Sequence, residues 1–220
     1  MTEIRYTLMS DGSSDAALIP ILDWLLIQNG IKYAIQSNRA DLRRLRFPPK
    51  TLKERIRICV DLYPCELLFV HRDSERESRE RRVVEINSAI QELIDSSAPL
   101  PHICVVPVKM TEAWLLFDEQ AIRHAAGNRY GRHPIRLPRL NQIESIPDPK
   151  SILFQLVRES SGLRGHRLKR FPVNHHAYRV PEFLMDFSPL RSLPAFFALE
   201  GEIRNLILDQ SWHINLELVE

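Results

Sequence analysis

Residues 67–70 read Leu-Leu-Phe-Val, four apolar side chains in succession with nothing polar on either face. A strand of that kind must be covered on both sides, and a parallel sheet sandwiched between helices does so. The neighbouring segments agree with this. Residues 4–9 read as a first strand, and Asp11-Gly12-Ser13-Ser14 offers a turn with several helix N-caps. Ala17, Leu18, Ile21, Leu22, Leu25 and Leu26 then recur at helical spacing until Gly30, a left-handed C-cap candidate. Pro20 is expected in the first turn or two, where it is tolerated. Residues 31–35 predict a second strand. Beyond Pro48-Pro49, residues 50–63 predict a helix with Leu52, Ile56, Cys59 and Val60 on one side. A polar helix over 76–96 follows the third strand, then a fourth strand over 103–108. Thr111 is placed to cap a short helix through Glu112, Trp114, Leu115 and Leu116.

Alternating strands and helices predict an α/β fold, a parallel sheet flanked by helices. After Gly127 the pattern changes. Residues 128–150 hold four of the fifteen prolines, and only 151–160 and 193–208 read as helices. The expected organisation is an α/β domain over 1–127 and an irregular, helical C-terminal elaboration over 128–220 packed on it.

With 44% hydrophobic and 26% charged residues the chain has the balance of a soluble globular protein, and a net charge of +2 does not mark the whole molecule as a polyanion binder. Cys59, Cys65 and Cys104 show neither metal-ligand nor disulfide spacing, so free, mostly buried thiols in a reducing cytoplasm are expected. The first residues lack a signal-peptide core. The longest apolar stretch, 16–27, is interrupted by Pro20 and Asp23 and falls short of the about 20 residues a membrane span needs. A cytoplasmic protein with no membrane contact is the expectation. Neither G-x-x-x-x-G-K-[ST] nor G-x-S-x-G occurs, which argues against a P-loop ATPase and a nucleophile-elbow hydrolase.

In open parallel sheets, sites form beyond the carboxyl ends of the strands. Strand one leads to Asp11 and Asp15, strand three to Asp73 and Glu75, and strand four to Glu112, with Asp118 further along. Each acid alone reads better as a helix cap or a first-turn charge than as a ligand; acids at three strand ends together are the informative feature. Carboxylates without His or Cys partners suit Mg²⁺ or Mn²⁺ rather than zinc. Two such ions about 4 Å apart stabilise the attacking and leaving oxygens of phosphodiester cleavage.

Basic residues concentrate twice. Arg39, Arg43, Arg44, Arg46, Lys50, Lys53, Arg55 and Arg57 form one stretch, and Arg164, Arg167, Lys169 and Arg170 another. Both read as solvated surface or as phosphate-backbone contacts. The second is the stronger nucleic-acid candidate because Gly162 and Gly165 imply an accessible loop, although such a loop would serve equally as a docking surface for a partner protein. His175-His176 lacks further zinc-ligand spacing. Trp114, Phe117, Phe196 and Phe197 are expected to pack in the core or at an interface.

The ordered segments "SDGSSD" (10–15), "HRDSE" (71–75) and "KMTEAWLLFD" (109–118) resemble the Toprim fold of topoisomerases, primases and OLD (overcoming lysogenization defect) nucleases. The chain looks closest to small bacterial Toprim-like proteins, RloB-like ones among them, often encoded beside an ATPase. "IPDPKSIL" (146–153) and "DFSPLRSLPAFFALEGEI" (186–203) are similar to late segments of that group. The resemblance implies catalytic acid/base roles for Asp11 and Asp15 and a Mg²⁺ (or Mn²⁺) site of Asp73, Glu75 and Glu112. Asp11 stands where the group has Glu, and Glu75 where it has Asp. The implied function is a metal-dependent endonuclease acting on DNA or RNA, the effector of an antiviral defence system that works with a separate ATPase partner; a homo-oligomer is compatible with it. The alternative is a catalytically decayed binding or adaptor module. A receiver-like phosphoacceptor domain, with Asp73 phosphorylated and Lys109 on the phosphoryl group, fits less well given Glu75, Glu112 and the long C-terminal region.

Overall fold

The computed structural model describes residues 2–12, 14–74, 77–93, 100–108 and 110–213. Four strands, β1 (Glu3–Met9), β2 (Ala34–Ala40), β3 (Leu67–His71) and β4 (His102–Val105), pair in parallel in the order β2-β1-β3-β4. This is the expected parallel α/β sheet flanked by helices, an arrangement of the Rossmann type with which a Toprim-like sheet is consistent. Successive side chains of a strand alternate between faces, so each strand feeds two cores. Tyr6, Leu8, Leu67, Phe69, Ile103 and Val105 belong to the larger one. Met9, Leu68, Val70 and Cys104 belong to the smaller, which packs against helices α2 (Leu52–Leu62) and α3 (Arg79–Gln91) through Ile56, Cys59, Ile86 and Ile90. All five residues of β3 are buried, as the unbroken apolar run requires.

The larger core is closed by helix α1 (Ile19–Gln28) and by the late part of the chain. A 3₁₀ turn, Ser14–Leu18, precedes α1, and Pro20 sits in its first turn. Gly30 follows at φ 107°, which a side chain would make costly. Helix α4 (Glu119–Ala125), α5 (Pro149–Ser160), the short α6 (Gly165–Lys169) and α7 (Val173–Ala177), and α8 (Pro194–Asp209) complete the fold. Phe187, Phe196, Leu199, Ile203 and Ile207 join the same cluster as Tyr6 and Phe69, so residues from 1–127 and from 128–220 share one core. Trp114 packs edge-on against Phe196 with ring centres 5.4 Å apart, whereas Phe197 is exposed.

Several expected boundaries shift. The second strand starts at Ala34 rather than at residue 31 and runs to Ala40, because its ladder with β1 extends from Glu3–Ala34 to Met9–Ala40 and recruits polar Gln36, Ser37, Asn38 and Arg39. The fourth ends at Val105. Helix α2 starts with a capping box of Thr51 and Glu54. Thr111 is not a cap: it is the first residue of a 3₁₀ turn, Thr111–Leu115. Burial pushes the thiols of Cys59 and Cys104 up to about 12, so neither is a thiolate at neutral pH. Among the described residues no helix is long and apolar enough to cross a membrane.

Candidate functional site

The strand order reverses at β1, whose chain neighbour β2 lies on one side and β3 on the other. Such a switch point opens a crevice at the carboxyl ends of the two central strands. The turn after β1 folds around the Asp15 carboxylate. The Gly12 N–H donates to Asp15 Oδ2 at 2.7 Å and the Ser14 hydroxyl to Oδ1 at 3.1 Å. A Cβ on residue 12 would stand 3.3 Å from both carboxylate oxygens, so the glycine permits this close approach. Asp15 is thereby buried while facing the sheet edge.

β3 ends on His71, which is 1% exposed. Its Nδ1 lies 2.9 Å from the Val105 carbonyl, an acceptor only, so the proton is on Nδ1 and Nε2 points into the crevice. There Nε2 is 3.5 Å from Asp73 Oδ1, 3.8 Å from Asp15 Oδ2 and 3.5 Å from the Thr111 hydroxyl. Glu112, next to Thr111 in the turn after β4, is buried. Desolvation raises its pKa; Lys150 Nζ, 3.9 Å away, partly offsets this, and the Asp15 charge adds to it. Lys150 itself lies over the rings of Phe154 and Tyr178, and its hydrogen bond to Tyr178 raises its pKa.

The structure thus brings together Asp15, Asp73 and Glu112, with His71 among them. Asp11 does not join them: its carboxylate pairs with Arg55 and, at 3.1 Å, with Arg72. Glu75 and Lys109 lie outside the described residues. His71 corrects the expectation of carboxylates without a histidine partner. Its signal was there to find, since a histidine closing an apolar run at the carboxyl edge must be buried and satisfied. Mg²⁺ and Mn²⁺ are commonly held by one or two carboxylates, with water and substrate phosphate completing the shell. The oxygen donors of Asp15 and Asp73 fit such a hard cation, although among the described residues no three His, Cys, Asp or Glu side chains stand close enough to hold one unaided.

Arg164, Arg167, Lys169 and Arg170 lie on or beside α6, all exposed, flanked by Gly162 and Gly165 at φ 67° and 55°. His176 directs Nδ1 to the Ala125 carbonyl at 2.6 Å and stacks on Phe171, a structural use of that ring. A second polar concavity, of about 220 Å³, lies between the ends of β1 and β2; Ser10, Asp11, Arg39, Asp41, Lys50 and Arg55 are among its lining residues. Compared with known proteins, the chain matches no family model, no curated protein and no solved structure.

Proposed function

We propose that this protein is a divalent-metal-dependent nuclease that hydrolyses phosphodiester bonds of DNA or RNA. The observation that carries the reading is the meeting of Asp15 and Asp73 at the Nε2 of His71, with Glu112, from the loop after a third neighbouring parallel strand, near enough for its charge to act on Asp15 and His71. Asp15 and Asp73 would hold Mg²⁺ or Mn²⁺. When bound, the ion neutralises phosphate charge and lowers the pKa of a coordinated water.

The protein's own groups supply proton handling. His71 Nε2, oriented by the Nδ1–H bond to Val105, is placed to accept a proton from a water in the crevice. Glu112, kept protonated to higher pH by burial, suits proton delivery to a leaving oxygen. Asp15 is pre-positioned by two donors and needs no reorganisation to serve. Activity under the control of a separate ATPase, in defence against phage, rests on the Toprim resemblance of the motifs at 10–15, 71–75 and 109–118.

The test is nicking of supercoiled plasmid, and cleavage of a structured RNA, with Mg²⁺, Mn²⁺ or EDTA. Wild type is expected to cut only with metal, and Asp73→Ala to lose this. Cleavage that persists in EDTA or in Asp73→Ala, or no cleavage either alone or with any ATPase encoded beside it, defeats the proposal.

A further inference from the structure

The concavity between the ends of β1 and β2 adjoins the acidic crevice but has opposite character. Arg39, Arg43, Lys50 and Arg55 line it, against only two carboxylates, Asp11 and Asp41. Asp41 is shared among Arg39, Arg43 and Arg44 at 4.0, 3.5 and 3.1 Å, so cationic charge is left in excess there. Arg55 reaches across to the turn after β1, where it meets both the Asp11 carboxylate and the Ser10 carbonyl. The link to the acidic crevice is therefore direct: one short turn, 10–15, lines the groove with Asp11 and presents Asp15 to His71.

A second feature points to the ligand. Phe47, immediately before the Pro48-Pro49 wall of the groove, is 79% exposed. The Arg46 guanidinium stands 5.3 Å from its ring centre. The Phe47 ring has a face open for a base to stack on beside the cations. A cationic groove with an exposed aromatic next to its wall in the chain is the combination that holds single strands, with phosphates against the cations and an unstacked base on the ring. In a duplex the bases are stacked on each other and leave Phe47 nothing to cover.

We propose that this groove binds single-stranded nucleic acid, with Arg39, Arg43, Lys50 and Arg55 holding its phosphates and Phe47 stacking one base. The strand then leads over the 10–15 turn into the acidic crevice. This deepens the nuclease reading by naming a strand form and a path, yet binding is measurable without cleavage.

The experiment is fluorescence anisotropy in EDTA with labelled oligonucleotides of about ten nucleotides, a length one such site can span. DNA and RNA of the same sequence are compared as single strands and as duplexes. Single strands are expected to bind more tightly than duplexes, and the DNA and RNA arms decide which sugar is preferred. Phe47→Ala is expected to weaken single-strand binding at least about fivefold, and Arg43→Glu to weaken it and flatten its salt dependence. Both side chains are exposed, so circular dichroism and melting should match wild type. Duplex binding at least as tight as single-strand binding, or wild-type affinity in both variants, overturns the proposal. Loss of binding in Arg164→Ala/Arg167→Ala with Phe47→Ala unaffected also overturns it, by moving the strand to α6. Adding Mg²⁺ to the same oligonucleotides separates the two readings. Groove-dependent binding without cleavage, also with a separate ATPase partner added, sustains the groove and sinks the nuclease; cleavage indifferent to both variants does the reverse.

Discussion

Replacing Glu112 by glutamine separates what the acidic crevice costs the fold from what it is for. Glu112 is 7% exposed, and burial raises its carboxyl above the ordinary 4.5. The opposing cation, Lys150, is 3.9 Å away and 42% exposed in its side chain, so solvent screens the pair. Such a pair contributes about 0.2–1 kcal/mol, less than the several kcal/mol that burying a carboxylate costs. Glutamine keeps the side-chain volume and removes the charge. Lys150 keeps its hydrogen bond to Tyr178 and its place over two rings, so no orphaned cation results. Glu112→Gln is therefore expected to stabilise the protein by about 1 kcal/mol at about pH 8. For a chain of this length that raises Tm by about 2–4 °C. The native carboxyl holds its proton more tightly than the unfolded one. Wild type therefore has this contribution in full below 4.5 and loses it as pH rises through the raised native value. The gap between the proteins should open with rising pH and close by about pH 4, as followed by calorimetry across that range. If Glu112 also serves a metal site, Mg²⁺ at a hundred times its Kd adds about 2.7 kcal/mol to wild type and less to the variant. A variant destabilised at neutral pH, or a gap that does not change with pH, refutes the reasoning.

Two further substitutions probe other parts of the argument. His71→Phe keeps a buried ring but leaves the Val105 carbonyl with the Arg72 N–H alone as donor; it should cost about 0.5–1.5 kcal/mol in urea unfolding and abolish metal-dependent cleavage. Arg191→Ala strips Glu200, 2% exposed, of its two-pronged partner, whose Nε and Nη2 reach the carboxylate at 2.9 and 2.7 Å. It should cost about 3–5 kcal/mol at neutral pH. Burial alone would raise the Glu200 carboxyl, but the hydrogen bonds from Arg191 and Asn29 hold it below its ordinary 4.5. That contribution is present above 4.5 and fades as pH falls through the lowered native value, so the variant's deficit should shrink in acid.

The elements most legible in the sequence were those whose pattern follows from burial. β3 has no polar side and could only be central, and α1 shows its apolar stripe between a turn and Gly30. β2 was misplaced because an edge strand with one wet side needs no apolar run; its register follows β1, which no local pattern reveals. In the crevice, strand-end logic named Asp11, Asp15, Asp73, Glu75 and Glu112 together, and Glu75 lies outside the described residues. That logic could not separate Asp11 from the others, since its direction depends on Arg55 and Arg72, 44 and 61 residues away in the chain. Phe47 escaped notice for a similar reason. An aromatic residue in a basic stretch declares itself only when the structure leaves it uncovered.

The shared core also sets a timetable. Tyr6, Phe69 and Val105 share one core with α1 and with Phe187, Phe196, Ile203 and Ile207. A chain made from its N-terminus at about 5–20 residues per second has its sheet strands out roughly 5–20 s before residue 207 follows. During synthesis the sheet face on that core has only the elements before residue 128, α1 among them, to cover it, and Lys150 reaches Glu112 only after most of the chain has emerged. The surroundings of Glu112 are thus complete only late in translation, and the same interval is when the unfinished chain is most exposed to aggregation and to chaperones.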